Sequence, residues 1–411
     1  MSASPMPVAA PRLSMSQVLL CGAMIVTLSM GIRHGFGLWL QPVTMDRGWT
    51  REHFAFAIAV QNIFWGLAGP VAGMLADRFG AFRVLLAGSA LYALGLAGMA
   101  MATTVPGFTG SAGVLLGMAQ SGTTYAIVYG VIGRNVSADK RSWAMGVAAA
   151  AGSFGQFLMV PVETWLIGSF GWQNALFVLA CLALAIMPLA WGLKEPALAP
   201  ATGAAHQSIG AAVREAFGHR SFQWLMAGYF VCGFQVVFIG VHMPSYLKDH
   251  GMAPGVATGA LALIGLFNVF GTYTAGWLGG RMPKRYILSA IYALRAVVIS
   301  VFLLAPLTPM SVYIFAATMG FLWLSTVPPT NAVIAQIFGV QYMSMLGGFV
   351  FFSHQVGSFL GAWLGGKLYV LTGNYDVVWG IAIALGVFAA LANLPVREEP
   401  VQRGLPAAAA A

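Results

Sequence analysis

Apolar residues along this chain gather into twelve long runs separated by short polar segments. A helix needs roughly 20 mostly apolar residues to cross a bilayer, and each run meets that length. The runs lie near 16–40, 53–77, 83–103, 107–133, 142–168, 172–193, 222–247, 254–280, 285–305, 309–337, 342–370 and 376–395. Backbone polar groups inside lipid must be paired within the segment, so each run is predicted to be a helix. The longest polar stretch, 194–220, holds Pro196, Pro200, Gly203, His206, Arg214 and Glu215 and divides the twelve into six and six.

The predicted architecture is therefore an all-α membrane protein, with twelve transmembrane helices in two pseudo-symmetric six-helix bundles. Its parts are a cytoplasmic N-terminal tail (1–15), a first bundle (16–193), a cytoplasmic linker (194–220), a second bundle (221–396) and a cytoplasmic tail (397–411). The halves echo each other in sequence. Gly73-Met74-Leu75-Ala76-Asp77-Arg78-Phe79-Gly80 has a blurred copy, Gly276-Trp277-Leu278-Gly279-Gly280-Arg281, 203 positions later, and Gly171-Trp172 is echoed by Gly373-Asn374. Duplication of this kind builds carriers whose substrate sits near the bilayer midplane between the repeats.

Composition agrees independently. The chain is 59% hydrophobic and 8% charged, against roughly 45–50% and 25% in soluble domains. Its 51 glycines suit helices that pack closely in lipid through small residues. Cys21, Cys181 and Cys232 lie singly inside apolar runs and suggest neither a disulfide framework nor a metal site. The first run contains Arg33 and His34 and no small-residue cleavage site, so it reads as a retained helix and not a signal peptide.

With both termini inside, fourteen basic residues fall in cytoplasmic segments and four outside, which satisfies the positive-inside rule. The net charge of +9 then reports topology in a cytoplasmic (inner) membrane and contact with anionic lipids, not nucleic-acid binding. In the octet, Gly73 and Gly80 permit a tight turn, while Asp77 and Arg78 offer charges that can bond helix ends across the bundles and release them. The copy has Gly280 where the acid would stand and keeps Arg281. These five residues form the expected gate.

Charge inside a membrane helix costs about 2.5–3.5 kcal/mol on insertion scales and marks function. Three such residues occur, Arg33, Glu163 and Arg295. Arg33 is the candidate anion ligand, since its planar fork matches a carboxylate. Glu163 is a candidate proton carrier, and its depth also allows an ion pair with Arg33. Arg295 reads as structural, toward a lipid headgroup or a neighbouring helix. His354, near mid-span, can hold an anion or relay a proton. Gln120, Tyr125, Gln235, His242, Asn268 and Asn331 are further candidate substrate ligands, each weighed against a helix-packing hydrogen bond. Pro328-Pro329 should bend the tenth helix and free carbonyls toward a cavity.

The chain resembles the major facilitator superfamily, through the octet's G-x-L-a-D-r-x-G pattern. It is similar to the bacterial monocarboxylate-carrier-like and oxalate/formate-antiporter-like branch through Gly48-Trp49-Thr50-Arg51, Pro328-Pro329 and the Gly357–Gly366 segment. The branch commonly places a basic ligand in helix 8, where this chain has only Asn268, and an acidic pattern early in helix 1, where it has Gly31-Ile32-Arg33-His34-Gly35. The resemblance implies a secondary transporter moving a small organic anion, with a monocarboxylate favoured, by alternating access. A proton gradient or a counter-anion would drive it, since no nucleotide-binding loop is present. No cofactor is implied, and a monomer is expected. A proton-coupled drug or amphiphile exporter is the alternative, and a non-transporting sensor is a further one. No cluster of groups points to an enzyme.

Overall fold

A computed structural model of the chain describes residues 13–136, 138–195, 208–339 and 343–401. Most of the predicted tails and the middle of the linker lie outside the described residues. Twelve membrane helices are formed, in two halves of six. In the first half they are α1 (Met15–Arg47), α2 (Arg51–Phe79), α3 (Ala81–Met101), α4 (105–135), α5 (138–170) and α6 (172–191). The second half holds α7 (Arg220–Asp249), α8 (Pro254–Gly279), α9 (Lys284–Leu304), α10 (Pro309–Phe338), α11 (Met343–Thr372) and α12 (Asp376–Asn393). The linker contributes a short helix, Ile209–Gly218.

Local chemistry sets the helix ends. Ser14 accepts from the Gln17 amide to start α1. Thr50 and His53 form a reciprocal cap at the start of α2, as Thr308 and Ser311 do for α10. The turns after α1 and α7 use Gly48 and Gly251 at φ 65° and 76°, and those after α5 and α11 use Gly171 and Gly373 at 75° and 79°. Only glycine takes such angles without penalty, so both halves reuse the same turns.

Small residues then bring the helices together. On α11, Gly357 and Gly361 lie against the carbonyls of Phe230 and Phe234 on α7, and Gly233 of α7 lies against the carbonyl of His354. Gly155 of α5 meets the Thr27 carbonyl of α1 in the same way. Side chains at these points would force the backbones apart, which is how lipid-embedded helices gain contact.

The duplication extends to hydrogen bonds. In the first half Ser29 and Thr123 share a bond of 2.9 Å, and the Tyr92 hydroxyl donates to the Ser29 carbonyl at 2.9 Å. The counterparts 203 residues later are Cys232, Thr326 and Arg295. Cys232 and Thr326 meet at 3.3 Å, and Arg295 donates to the Cys232 sulfur at 3.6 Å. Next to each cluster a helix breaks, α4 at Thr124 and α10 at residues 323–326.

The break in α10 falls just before Pro328, which opens the second segment of the helix. The freed carbonyls of Leu322 and Trp323 do not face a cavity, as the prolines had suggested. Arg295 takes both of them with its guanidinium, and the Asn268 side chain accepts from the Leu324 amide at 3.1 Å. Arg295 is fully buried, so it contacts a neighbouring helix and not a lipid headgroup. Its charge rests on the negative end of the first α10 segment.

The two bundles touch along one half of their interface. Gly37 of α1 meets the Gly240 carbonyl, Gly366 of α11 packs on Arg51 and Glu52, and Gly265 of α8 packs on Gln156 and Phe157. On the facing stripe of α2, Gly66 is covered by Phe352 and Gln355, whereas Gly69 and Gly73 meet nothing within 4 Å, and neither does Gly348 of α11. The bundles are therefore closed at the end carrying Arg51 and parted toward the end carrying Arg134.

Because Gly357 sits directly on the Phe230 carbonyl, Gly357→Val is expected to push α11 from α7 and destabilise the second bundle by about 1–3 kcal/mol. Thermal unfolding of the detergent-solubilised protein checks this. An unchanged midpoint would show that the contact is not limiting.

Candidate functional site

Arg33 ends the regular part of α1, beside the short tight turn Gly35–Trp39, at the depth where the bundles meet. Its guanidinium donates to Asn62 Oδ1 of α2 at 2.5 Å and to Gln120 Oε1 of α4 at 3.1 Å, and it lies 4.7 Å above the Trp65 ring. Both partners are neutral amides. No described carboxylate lies within ion-pair distance of it, and Arg33 is only partly buried. A cation placed this way keeps free valence for an anion.

Glu163 of α5 does not pair with Arg33. It is fully buried, and its Oε2 accepts from Trp39 Nε1 at 3.0 Å. Its Oε1 has no partner. Gly35 lies so close to the carboxyl that a side chain there would overlap it. Similar sequence depth had made an ion pair possible, but the neighbours of each group are set by which helix faces turn together.

An aromatic bridge leads from Arg33 to the second bundle. Trp65 meets Phe351 of α11 edge to face with centroids 5.3 Å apart, and Phe351 stacks on His354 at 5.8 Å. His354 Nδ1 lies 3.2 Å from Gln355 Oε1 and 3.3 Å from Ser358 Oγ. Its ring also faces Tyr229 at 5.0 Å.

Of the sequence candidates, Arg33, Gln120 and, through the aromatic bridge, His354 gather about one place. Tyr125 pairs with Tyr129 at 5.5 Å and reaches over Gly152. The other candidates are engaged elsewhere. Gln235 donates to the Ala382 carbonyl and accepts from Arg295. His242 bonds the Ala362 carbonyl at 2.8 Å and the Tyr375 hydroxyl at 3.3 Å. Asn268 spans the bundles to Ser153 at 3.2 Å and caps the α10 break, and Asn331 donates to its own helix at Val327. Sequence reasoning missed Asn62, Trp65 and Gln355 as neighbours of the site. Each is a polar or aromatic residue inside an apolar run, and that is the only signal the sequence offers for them.

The sequence also missed a polar clasp between the bundles. At the Arg51 end, Arg51 grips Asp249 with both terminal nitrogens, at 2.5 and 2.6 Å, and donates to the Tyr375 hydroxyl at 3.0 Å. It stacks on Tyr369 at 4.0 Å. Gln41 adds a bond to Asp249 at 3.2 Å, and Lys367 lies 3.9 Å from Glu52. Burial, and the nearby Asp249 carboxylate, push the Tyr375 hydroxyl's pKa up, while Arg51 opposes them, so this hydroxyl stays protonated through the neutral range. A bidentate, partly desolvated Arg–Asp pair is the strong form of the interaction.

At the opposite end little packs on the described glycines of the expected gate. Gly73 is uncovered, Gly80 turns the chain at φ 87°, and Arg281 folds back on Trp277 at 3.8 Å. The side chains of Asp77 and Arg78 lie outside the described residues. Two glutamates that follow the last helix of each half, again 203 residues apart, tie that end together within each bundle. Glu195 accepts from Arg134 at 2.7 Å and Asn135 at 2.6 Å, and Glu398 accepts from the Arg285 amide at 2.9 Å with Lys284 at 3.4 Å.

Comparison with known proteins places this geometry. The family model of the Major Facilitator Superfamily matches residues 19–362. Monocarboxylate transporter 13 of Bos taurus is 26% identical over 335 residues, covering 80% of this chain and 75% of that protein. The oxalate:formate antiporter of Oxalobacter formigenes is 23% identical over 403 residues, covering 94% and 93%. Among solved structures, a bacterial homolog of the human lysosomal transporter Spinster, inward-facing and unoccupied, superposes with a TM-score of 0.72 at 15% identity, covering 93% of this chain and 98% of that one.

Removing half of the Arg51 clasp should loosen the closed end. Spin labels at Met45 and His250, in a background lacking the three native cysteines, are expected to move apart in Asp249→Asn relative to the parent. An identical distance distribution would mean that packing at Gly37 and Gly366 holds that end alone.

Proposed function

The chain belongs to the major facilitator superfamily, and from that membership we propose that it carries a small organic anion, a monocarboxylate, across the cytoplasmic membrane by alternating access. It is a membrane transporter and not an enzyme. The observation that carries the anion reading is Arg33, a partly exposed cation at the bundle interface whose bonded partners are neutral amides. The relatives named for monocarboxylate transport and for oxalate:formate antiport support the same class of substrate.

The excess of basic residues supports a cytoplasmic Arg134 end, with both termini inside. The conformation is then closed outside and open inside. An anion entering from the cytoplasm, or leaving to it, meets Arg33 at the head of the gap. Release of Arg51 from Asp249 and closure around the octet, with Asp77 and Arg78 among its residues, would convert this state into its opposite. Arg281 serves the weaker copy of that gate.

Two groups suit coupling to protons. Glu163 is a buried acid of the first bundle, with one oxygen free of partners and the other held by Trp39, the last residue of the turn that follows Arg33 and His34. His354 lies across the interface and can hold a proton or the anion. Tyr125 extends the lining on the first-bundle side. The contacts of Gln235, His242, Asn268 and Asn331 favour structural roles, and we keep them as ligands only for a conformation with α7, α8 and α10 rearranged. The buried acid also favours a second reading, proton-coupled export of an amphiphile.

Uptake of labelled monocarboxylates and dicarboxylates into proteoliposomes, with and without an inward proton gradient, tests the proposal. Arg33→Gln is expected to lower monocarboxylate uptake at least tenfold with insertion unchanged, and undiminished uptake would overturn the anion site. Glu163→Gln is expected to abolish stimulation by the gradient while preserving exchange of labelled for unlabelled anion. Stimulation that survives would assign coupling to His354. Export of a cationic dye with no anion transport would favour the second reading.

A further inference from the structure

Buried polar atoms without partners are rare in folded proteins, and each asks for an explanation. Two of them here are amide donors on opposite bundles. Gln120 of α4 is fully buried, and its Oε1 is fixed as the acceptor of the Arg33 bond, which leaves the Nε2 group beside the Tyr92 hydroxyl with no bond within 3.5 Å. Gln355 of α11 is also fully buried, its Oε1 lies beside His354, and its Nε2 has no partner. Gln355 reaches the first bundle directly. A methyl added to Gly66 would stand 3.1 Å from the Gln355 Cβ and Cγ, and Gly66 follows Trp65, the ring under Arg33.

We propose that Gln355 is the second bundle's ligand for the transported carboxylate, closing with Gln120 and Arg33 around a singly charged anion. This rests on the anion reading of the Arg33 site. One cation and two neutral amides supply hydrogen-bond donors for both oxygens of a single carboxylate. A second carboxylate would find no free cation nearby among the described residues. Arg295 is spent on the α10 carbonyls and Arg51 on Asp249. The Trp65 and Phe351 rings leave an apolar surface for the remainder of the substrate.

The position of Gln355 also links binding to movement. Gly66 is the last covered position on the α2 stripe before the bundles part. An anion held from both sides at that point draws α11 toward α1 and α4, so occupancy favours closure of the open end. Without an anion, the buried Gln355 donor stays unsatisfied and Gln120 has only the Tyr92 hydroxyl beside it, a cost that binding removes.

The test measures affinity of the purified full-length carrier for lactate and for benzoate by titration calorimetry, with succinate as the doubly charged comparison. Wild type is expected to bind a singly charged probe more tightly than succinate. Gln355→Leu is expected to raise Kd about tenfold, as the loss of one hydrogen bond to a charged group implies. Gln355→Lys restores donors and is expected to bind at least as tightly as wild type, whereas a purely structural role predicts it to be worse than Gln355→Leu. Should Gln355→Leu fail to insert, Gln355→Met keeps the stem over Gly66 and carries the same comparison. A wild type that binds none of the three probes overturns the anion reading and this inference with it. Wild-type affinity that is unchanged in Gln355→Leu, or lost equally in the Leu and Lys variants, overturns the role of Gln355 alone.

Discussion

Inside lipid no water is available to satisfy a backbone carbonyl or a charge, and that constraint governs this molecule. It makes every crossing a helix, and it makes each interruption of a helix a problem to be solved by a side chain. Where α10 breaks, Arg295 and Asn268 take up the freed carbonyls and amide. Where α4 breaks at the equivalent place, the Thr124 hydroxyl returns to the Gln120 carbonyl at 2.8 Å. The same constraint makes an unsatisfied buried group informative.

The two halves use their intramembrane cations differently. Ser29, Tyr92 and Thr123 correspond to Cys232, Arg295 and Thr326, so duplication supplied one scaffold twice. The cation of the second half was committed to structure. The cation of the first half, Arg33, was left at the interface with neutral partners. A symmetric frame thus carries an asymmetric arrangement, in which one bundle provides the charge of the proposed anion site and the other places Gln355 and His354 at the end of an aromatic bridge.

The interface that carries this site is held in one conformation by opposite means at its two ends. Close glycine contacts and the Arg51–Asp249 clasp seal one end. At the other end each bundle ties its own loops through Glu195 and Glu398, and the glycine stripe of α2 stands uncovered beyond Gly66. Bonds within a bundle leave it free to move as a body, while bonds between bundles must exchange for it to do so.

Most of the fold is legible in the sequence, because span length, the polar linker and the 203-residue echo follow from how apolar, basic and glycine residues are spaced along the chain. Sequence also gave prominence to Arg33, Glu163 and His354, since charge and imidazole inside apolar runs are conspicuous at any orientation. It could not say which faces meet. Arg33 and Glu163 have similar depth, yet α1 turns one toward Asn62 and Gln120 while Trp39 holds the other. Arg295 looks peripheral by helix order and is buried against α10. Gln355 is one amide among several until Gly66 is found beneath it. Depth along a helix is a property of the chain, but the direction of a side chain across the bundle is decided by the packing of all twelve helices together.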